Sequence, residues 1–214
     1  MRTSSPVTIF LFFIASRTIA QAPTHLGPRA VLPRDREITL ARSAAPASVS
    51  DSATIYVLKS GGWEETVHGA NGVACLVGRS WVESLEPQCF DAEAAATVML
   101  MEMRRTEMYQ AGRSQADVDR EIGAGLAEGR YRLPRRLAMT YMMSAGQRLI
   151  SDDGRAVGSW HPHLMIFFPY LTAADLGLGP NTDTKSAIVN DPGKPTANVM
   201  VLLSEFIQPR VPTR

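Results

Sequence analysis

Two of the four histidines in this 214-residue chain stand one residue apart, in the segment His161-Pro162-His163. A strongly apolar run follows them, which is typical of a buried strand. On a strand, alternate side chains project from one face, so the two imidazoles would lie about 6 to 7 Å apart. Imidazole is the commonest protein ligand for zinc and copper. The spacing therefore makes this pair a candidate for part of a metal site, for Zn or Cu.

A third ligand would have to come from another part of the chain. The HxH spacing resembles the start of the cupin metal motif, but Phe168 stands where cupins have a glutamate. His68 is the candidate histidine, and Glu64, Asp152 and Asp153 are candidate carboxylates. Two other interpretations stay open: a strand rim hydrogen-bonded to backbone or water, because proline favours strand starts, and an acid–base or ligand pocket.

Methionines and arginines give two further candidate sites. Met99 and Met103 share one face of a predicted helix, and thioethers suit Cu(I), although core packing explains methionines equally well. A basic segment contains four arginines whose guanidinium groups are suited to carboxylate or phosphate. Its arginines are Arg130, Arg132, Arg135 and Arg136. The alternative is an ordinary solvated connection between a helix and a strand.

Motifs of the common enzyme classes are absent from the sequence. It contains no Gly-x-Ser-x-Gly, His-Glu-x-x-His, Gly-rich phosphate loop or Rossmann fingerprint. Adjacent acidic residues such as Asp152 and Asp153 would face opposite sides of a strand, which is unsuited to paired-carboxylate catalysis. These observations favour a non-catalytic binding protein and leave enzymatic activity open.

The elements that must position these residues predict an α+β fold. Strand patterns at 53–59, 63–68 and 72–79 surround the turn signal Asn71-Gly72, which predicts three antiparallel strands. Helix patterns follow at 91–112, with Asp91 as N-cap and Gly112 beyond the C-terminus, and from Ser114 to Gly129. Strand patterns return at 137–144, 147–151, 156–169, 186–190 and 198–207. We therefore expect a mostly antiparallel sheet with an inserted two-helix hairpin.

The first twenty residues predict a secretory signal peptide. Arg2 provides the positive n-region, residues 7–15 form a short apolar core, and Ala20 precedes the expected cleavage point. Residues 21–50 read as a flexible leader with a possible short helix at 37–44, and residues 51–214 as one domain. The expected product is exported to the periplasm or the medium, with no stable membrane insertion after signal cleavage.

Charge and cysteine content fit that destination. Loss of Arg2 and Arg17 with the signal leaves 20 basic and 21 acidic residues, which gives no electrostatic case for nucleic acid binding. Cys75 and Cys89 are the only cysteines, and in an oxidising compartment an even pair predicts a disulfide.

Four stretches of the chain resemble an uncharacterised family of predicted exported bacterial proteins. They are residues 37–46, 71–76, 87–91 and 160–165. The resemblance implies no activity, cofactor or catalytic residue. The expected function is therefore binding of a ligand or of an envelope protein. The alternatives are a metal-dependent enzyme using His161 and His163, and a periplasmic copper-binding protein using the methionines.

Overall fold

The computed structural model describes residues 31–79, 84–150, 156–158, 160–178 and 188–210. The predicted signal peptide, the start of the leader and the carboxylates Asp152 and Asp153 lie outside these ranges. The predicted α+β class is confirmed. The helices are α1 Arg34–Arg42, α2 Ala47–Ser50, α3 Ala92–Ala95, α4 Val98–Gln110 and α5 Gln115–Ala127. The strands are β1 Thr54–Lys59, β2 Gly62–Val67, β3 Ala74–Gly78, β4 Glu86–Phe90, β5 Met139–Met142, β6 Leu149–Ile150, β7 Ala156–Gly158, β8 His163–Phe167, β9 Ile188–Asn190 and β10 Asn198–Leu202.

Eight strands form one sheet in the order β2-β1-β3-β4-β5-β8-β10-β9. Its neighbours are antiparallel except β1 and β3, which are parallel. The predicted three-stranded antiparallel arrangement around Asn71-Gly72 is therefore wrong. Gly72 does adopt a positive φ of 76°, and Asn71 Oδ1 accepts a hydrogen bond from Val73 N. The turn does not join two paired strands, because β1 lies between β2 and β3 in the sheet.

Both faces of the sheet are buried beneath helices. On β3, Cys75 and Val77 belong to one apolar cluster, while Ala74 and Leu76 belong to another. Side chains alternate along a strand, so these two clusters lie on opposite faces. Helix α1 covers the first face, and helices α4 and α5 cover the second through residues such as Met101.

The ends of the helices follow the predicted capping chemistry. The Asp91 side chain accepts a hydrogen bond from Ala94 N, and Ser114 and Asp117 form a reciprocal capping box. Gly112 and Gly129 have positive φ values of 73° and 78° beyond the ends of α4 and α5. The single helix predicted over 91–112 is wrong in one respect, because the chain leaves helical geometry at residues 96–97 and divides it into α3 and α4.

Residues 31–50, assigned by the sequence to the leader, lie against the sheet. Helix α1 is longer at its start than the predicted 37–44 helix, and Leu40 and Ala41 are buried. The Glu37 side chain is fully buried, accepts a hydrogen bond from Leu58 N and pairs with Arg79 at 3.2 Å. Within the described ranges, no helix is both long and apolar enough to span a membrane.

Candidate functional site

A cavity of about 520 Å³ lies between helices α4 and α5 and the sheet face they cover. Its floor comes from β4, β5, β8 and β10, and its sides come from the two helices and the loop between β9 and β10. The charged residues that line it are Glu86, Glu102, Arg105, Asp119, Asp191 and Lys194. A polar, partly enclosed space of this size is typical of a small-molecule site.

Glu102 is the most unusual side chain of the cavity. It lies on α4, where Val98, Met101 and Arg105 share its face, and only 7% of its surface is exposed. Arg105 Nη1 contacts Glu102 Oε2 at 3.2 Å. The other oxygen, Oε1, is buried and has no hydrogen bond of good geometry among the described residues.

The surroundings of Glu102 favour its protonated form. The pKa of this carboxyl is raised to about 7, mainly by burial; the Arg105 guanidinium opposes the increase, and the nearby Glu86 carboxylate adds to it. The Gln88 amide also faces the carboxyl and acts in the lowering direction. A carboxyl group with a pKa near neutrality inside a cavity is a common feature of functional sites.

Because Gly78 has no side chain, the Gln88 amide and the Glu102 carboxyl can approach each other above it. A Cβ at this position would lie 2.7 Å from Gln88 Nε2 and 2.8 Å from Glu102 Oε1. Any other residue at the end of β3 would therefore displace the amide or the carboxyl. The glycine keeps both groups in contact with the cavity.

Asn198, on β10, provides a second buried hydrogen-bond acceptor in the part of the floor away from Glu102. Its Nδ2 donates to Thr196 O at 3.1 Å, whereas its buried Oδ1 has no partner among the described residues. Thr196 in turn donates through Oγ1 to Asp191 Oδ2 at 3.1 Å. Lys194 Nζ lies 3.7 Å from both Asp191 and Asp119, so its cation spans the loop and α5.

The rest of the lining is apolar and polarizable. Met101, Met142 and Met165 contribute thioether side chains, and Phe167 and Trp160 contribute aromatic rings. The Trp160 ring stacks on the His163 ring with 5.5 Å between centroids. The cavity thus combines charged groups with a wall suited to an apolar molecular body.

The structure separates the three candidate histidines. Strand β8 begins at His163, which is fully buried, whereas His161 precedes the strand and is exposed. His163 Nδ1 lies 2.7 Å from the His161 carbonyl oxygen, and burial lowers the pKa of His163. His68 follows β2 at the far edge of the sheet and pairs with Glu65 at 2.9 Å. Five strand spacings place it about 24 Å from β8.

The histidines therefore do not converge on one point. Among the described residues, no three His, Cys, Asp or Glu side chains are grouped so that they could hold a metal ion. His163 Nε2 is buried and has no hydrogen-bond partner among the described residues. The imidazole of His163 supports the Trp160 wall of the cavity.

The methionines proposed for copper lie in or beside the core. Met99 is buried, and Met103 packs against the same apolar cluster. Met101, which the helical pattern directs away from them, is also buried in that cluster and reaches the cavity. Because α4 is covered along much of its circumference, its methionines pack on other faces as well as the one that Met99 and Met103 share.

The basic segment pairs largely within the protein. Arg132 Nη1 and Arg136 Nε contact the buried Glu93 carboxylate at 3.3 and 3.0 Å, and Arg135 N donates to it at 3.0 Å. The Arg135 N–H lowers the pKa of Glu93 most strongly. Arg130 pairs with Glu121 and Glu128 at 3.0 and 2.8 Å. These contacts give the side chains of Arg130, Arg132 and Arg136 a structural role in holding the α5–β5 connection, whereas Arg135 contributes through its backbone N–H.

Sequence reasoning missed the cavity residues Glu86, Glu102 and Asn198. A signal for Glu102 was present, because this acidic residue shares a helix face with Val98, Met101 and Tyr109. No such signal marks Asn198, which is one polar residue in a short strand.

Comparisons with protein-family models, curated proteins and solved structures returned no match.

Proposed function

We propose that this chain is an exported binding protein whose cavity between α4, α5 and the sheet takes a small organic ligand. The observation that carries the proposal is a cavity of about 520 Å³ lined by Glu102 and Asn198, each of which has a buried acceptor atom without a hydrogen-bond partner of good geometry among the described residues. An unsatisfied buried polar atom costs about 1 to 3 kcal/mol, so a ligand that donates to these atoms would recover that free energy.

Export to the periplasm or the medium is part of this proposal. The signal-like residues 1–20 and the disulfide between Cys75 and Cys89 support it, because such bonds persist in oxidising compartments. The ligand would therefore be one that the protein meets outside the cytoplasm.

Methionine methyl NMR tests occupancy of the cavity directly. The protein carrying ¹³C-methyl methionine would be titrated with phenethylamine, phenethyl alcohol and phenylpropionate, which share one apolar body. At least one probe should shift the Met101, Met142 and Met165 methyl signals, because these side chains line the cavity. The Met139 and Met143 signals should stay in place, since neither residue belongs to the lining.

A cavity-filling variant provides the matched comparison. Gly123 lines the cavity and has open space around it, so Gly123→Phe should fill the mouth and abolish the shifts. Ala127→Phe adds the same ring at an exposed position of α5 and should leave the shifts unchanged. Absence of any shift with all three probes would contradict the proposal. About one equivalent of bound zinc or copper, lost in His161→Ala, would instead support a metal protein.

A further inference from the structure

The charged lining of the cavity has an excess of carboxylates. Four acidic side chains face two cations, and both cations already contact lining carboxylates: Arg105 contacts Glu102, and Lys194 contacts Asp119 and Asp191. With every group ionised, the described lining carries two negative charges. A low-dielectric site of this sign attracts cations and repels a ligand carboxylate or phosphate.

The unpartnered atoms select the same kind of ligand. Glu102 Oε1 and Asn198 Oδ1 are both acceptors, and their side chains are 7% and 2% exposed. Acceptors require donors, and an ammonium group presents three N–H donors together with a positive charge. An alcohol supplies only one donor and no charge.

The apolar wall defines the remainder of the ligand. Met142, Met165 and Phe167 line the floor beside the polar groups, and Trp160 adds an aromatic face. Burial of an apolar body contributes about 25 cal/mol per Å². An aromatic ring also attracts an adjacent cation, and a thioether interacts favourably with an adjacent aromatic ring.

We propose that the cavity binds an organic cation: a protonated primary amine attached to a compact apolar or aromatic body. The ammonium group would contact the Glu102 carboxylate, and the body would contact the thioether and aromatic wall. This inference rests on the proposed function, since it names the chemical class of ligand for the same cavity.

The three phenyl probes separate this inference from the proposed function. Phenethylamine should bind at least tenfold more tightly than phenethyl alcohol, and phenylpropionate should bind more weakly than both. Glu102→Gln should remove most of the preference for the amine while the alcohol still shifts the cavity methyl signals. Glu64→Gln removes one negative charge from β2, at the opposite edge of the sheet, and should leave the preference intact.

Each outcome decides one proposal or both. Equal or tighter binding of the alcohol or of phenylpropionate would overturn the inference and leave the proposed function standing. A preference for the amine that survives in Glu102→Gln would also overturn it. Failure of all three probes to shift any cavity methyl would overturn both.

Binding of the amine should tighten as the pH rises from 6 to 8, because the Glu102 carboxyl ionises in this range. The charged and titratable groups around the same space are Glu86 on β4, Arg105 and Tyr109 on α4, Asp119 on α5, and Asp191 and Lys194 in the β9–β10 loop. Glu102→Gln separates the effect of Glu102 from the effects of these groups, because the variant should lose most of the pH dependence of amine binding. Unchanged pH dependence in the variant would assign the effect to another of these groups and overturn the role of Glu102.

Discussion

Glu102 shows how a single buried carboxyl group changes the chemistry of its surroundings. Ordinarily a glutamate with a pKa of 4.5 is ionised at neutral pH, but burial on α4 raises the pKa of Glu102 to about 7. Its contact with Arg105 offsets only part of the loss of hydration. The ionised Glu102 side chain therefore costs stability, as the binding role proposed for it would lead us to expect.

Substitution of Glu102 should change how stability depends on pH. The folded state retains a proton between pH 4.5 and about 7 that the unfolded chain has lost, so the free energy of unfolding falls as the pH rises through this window. The total loss by pH 8 is about 3 kcal/mol. Glu102→Gln lacks this loss and should gain stability relative to the wild type between pH 5 and pH 8.

Urea unfolding at several pH values measures this effect. Glu64→Gln, at an exposed site on β2, is the control and should differ from the wild type by a constant amount across the range. Parallel profiles for the wild type and Glu102→Gln would show that Glu102 is not the group responsible.

At the scale of elements, a buried ion pair joins helix α1 to the sheet in addition to the apolar packing of Leu40 and Ala41. Glu37 and Arg79 have side chains that are 0% and 1% exposed, and their contact joins α1 to the residue that follows β3. Glu37 also accepts the N–H of Leu58, and Arg79 Nη1 donates to Val77 O at 2.6 Å. The pair thus satisfies backbone groups of two strands as well as each other's charge.

Removal of one partner of this pair should be strongly destabilising. Glu37→Ala leaves the Arg79 guanidinium buried without its counter-charge, which costs about 3 to 5 kcal/mol. Arg36→Ala, at an exposed position of the same helix, should change the free energy of unfolding by less than about 0.5 kcal/mol. Chemical denaturation of both variants checks the difference, and a loss below about 1 kcal/mol in Glu37→Ala would contradict the proposed anchoring role.

At the scale of the whole molecule, the disulfide joins two neighbouring strands at the centre of the fold. Cys75 on β3 stands directly opposite Cys89 on β4, and both side chains are fully buried in the cluster beneath α1. Of the two strands that the bond joins, β4 also contributes Glu86 and Gln88 to the cavity floor on the other face. It therefore stabilises the region that holds Gly78 and Gln88 in place.

Loss of this disulfide should lower the stability of the whole domain. Closing a loop of about 15 residues contributes roughly 3 kcal/mol, mainly by restricting the unfolded chain. Comparison of the oxidised protein, the reduced protein and Cys75→Ala/Cys89→Ala by urea unfolding tests this value. Two free thiols in protein recovered from the envelope would contradict the disulfide outright.

Local features of the sequence were sufficient to predict the ends of the helices. Asp91, Ser114 and Asp117 act within three residues of their partners, and Gly112 adopts its positive φ through the local chain path. The α+β class also followed from the order of strand and helix patterns. The Cys75–Cys89 bond was predicted because only one pairing was available within the chain.

The sequence alone could not determine the arrangement of the sheet or the cavity. Parallel pairing of β1 with β3 depends on where the segment between them packs, and a hairpin-type turn signal at Asn71 does not report this. The cavity brings together Glu86, Glu102 and Asn198, which no local pattern relates because they come from β4, α4 and β10. Its charge, its unpartnered acceptors and the pKa of Glu102 arise from burial between layers, and only the tertiary structure decides what is buried.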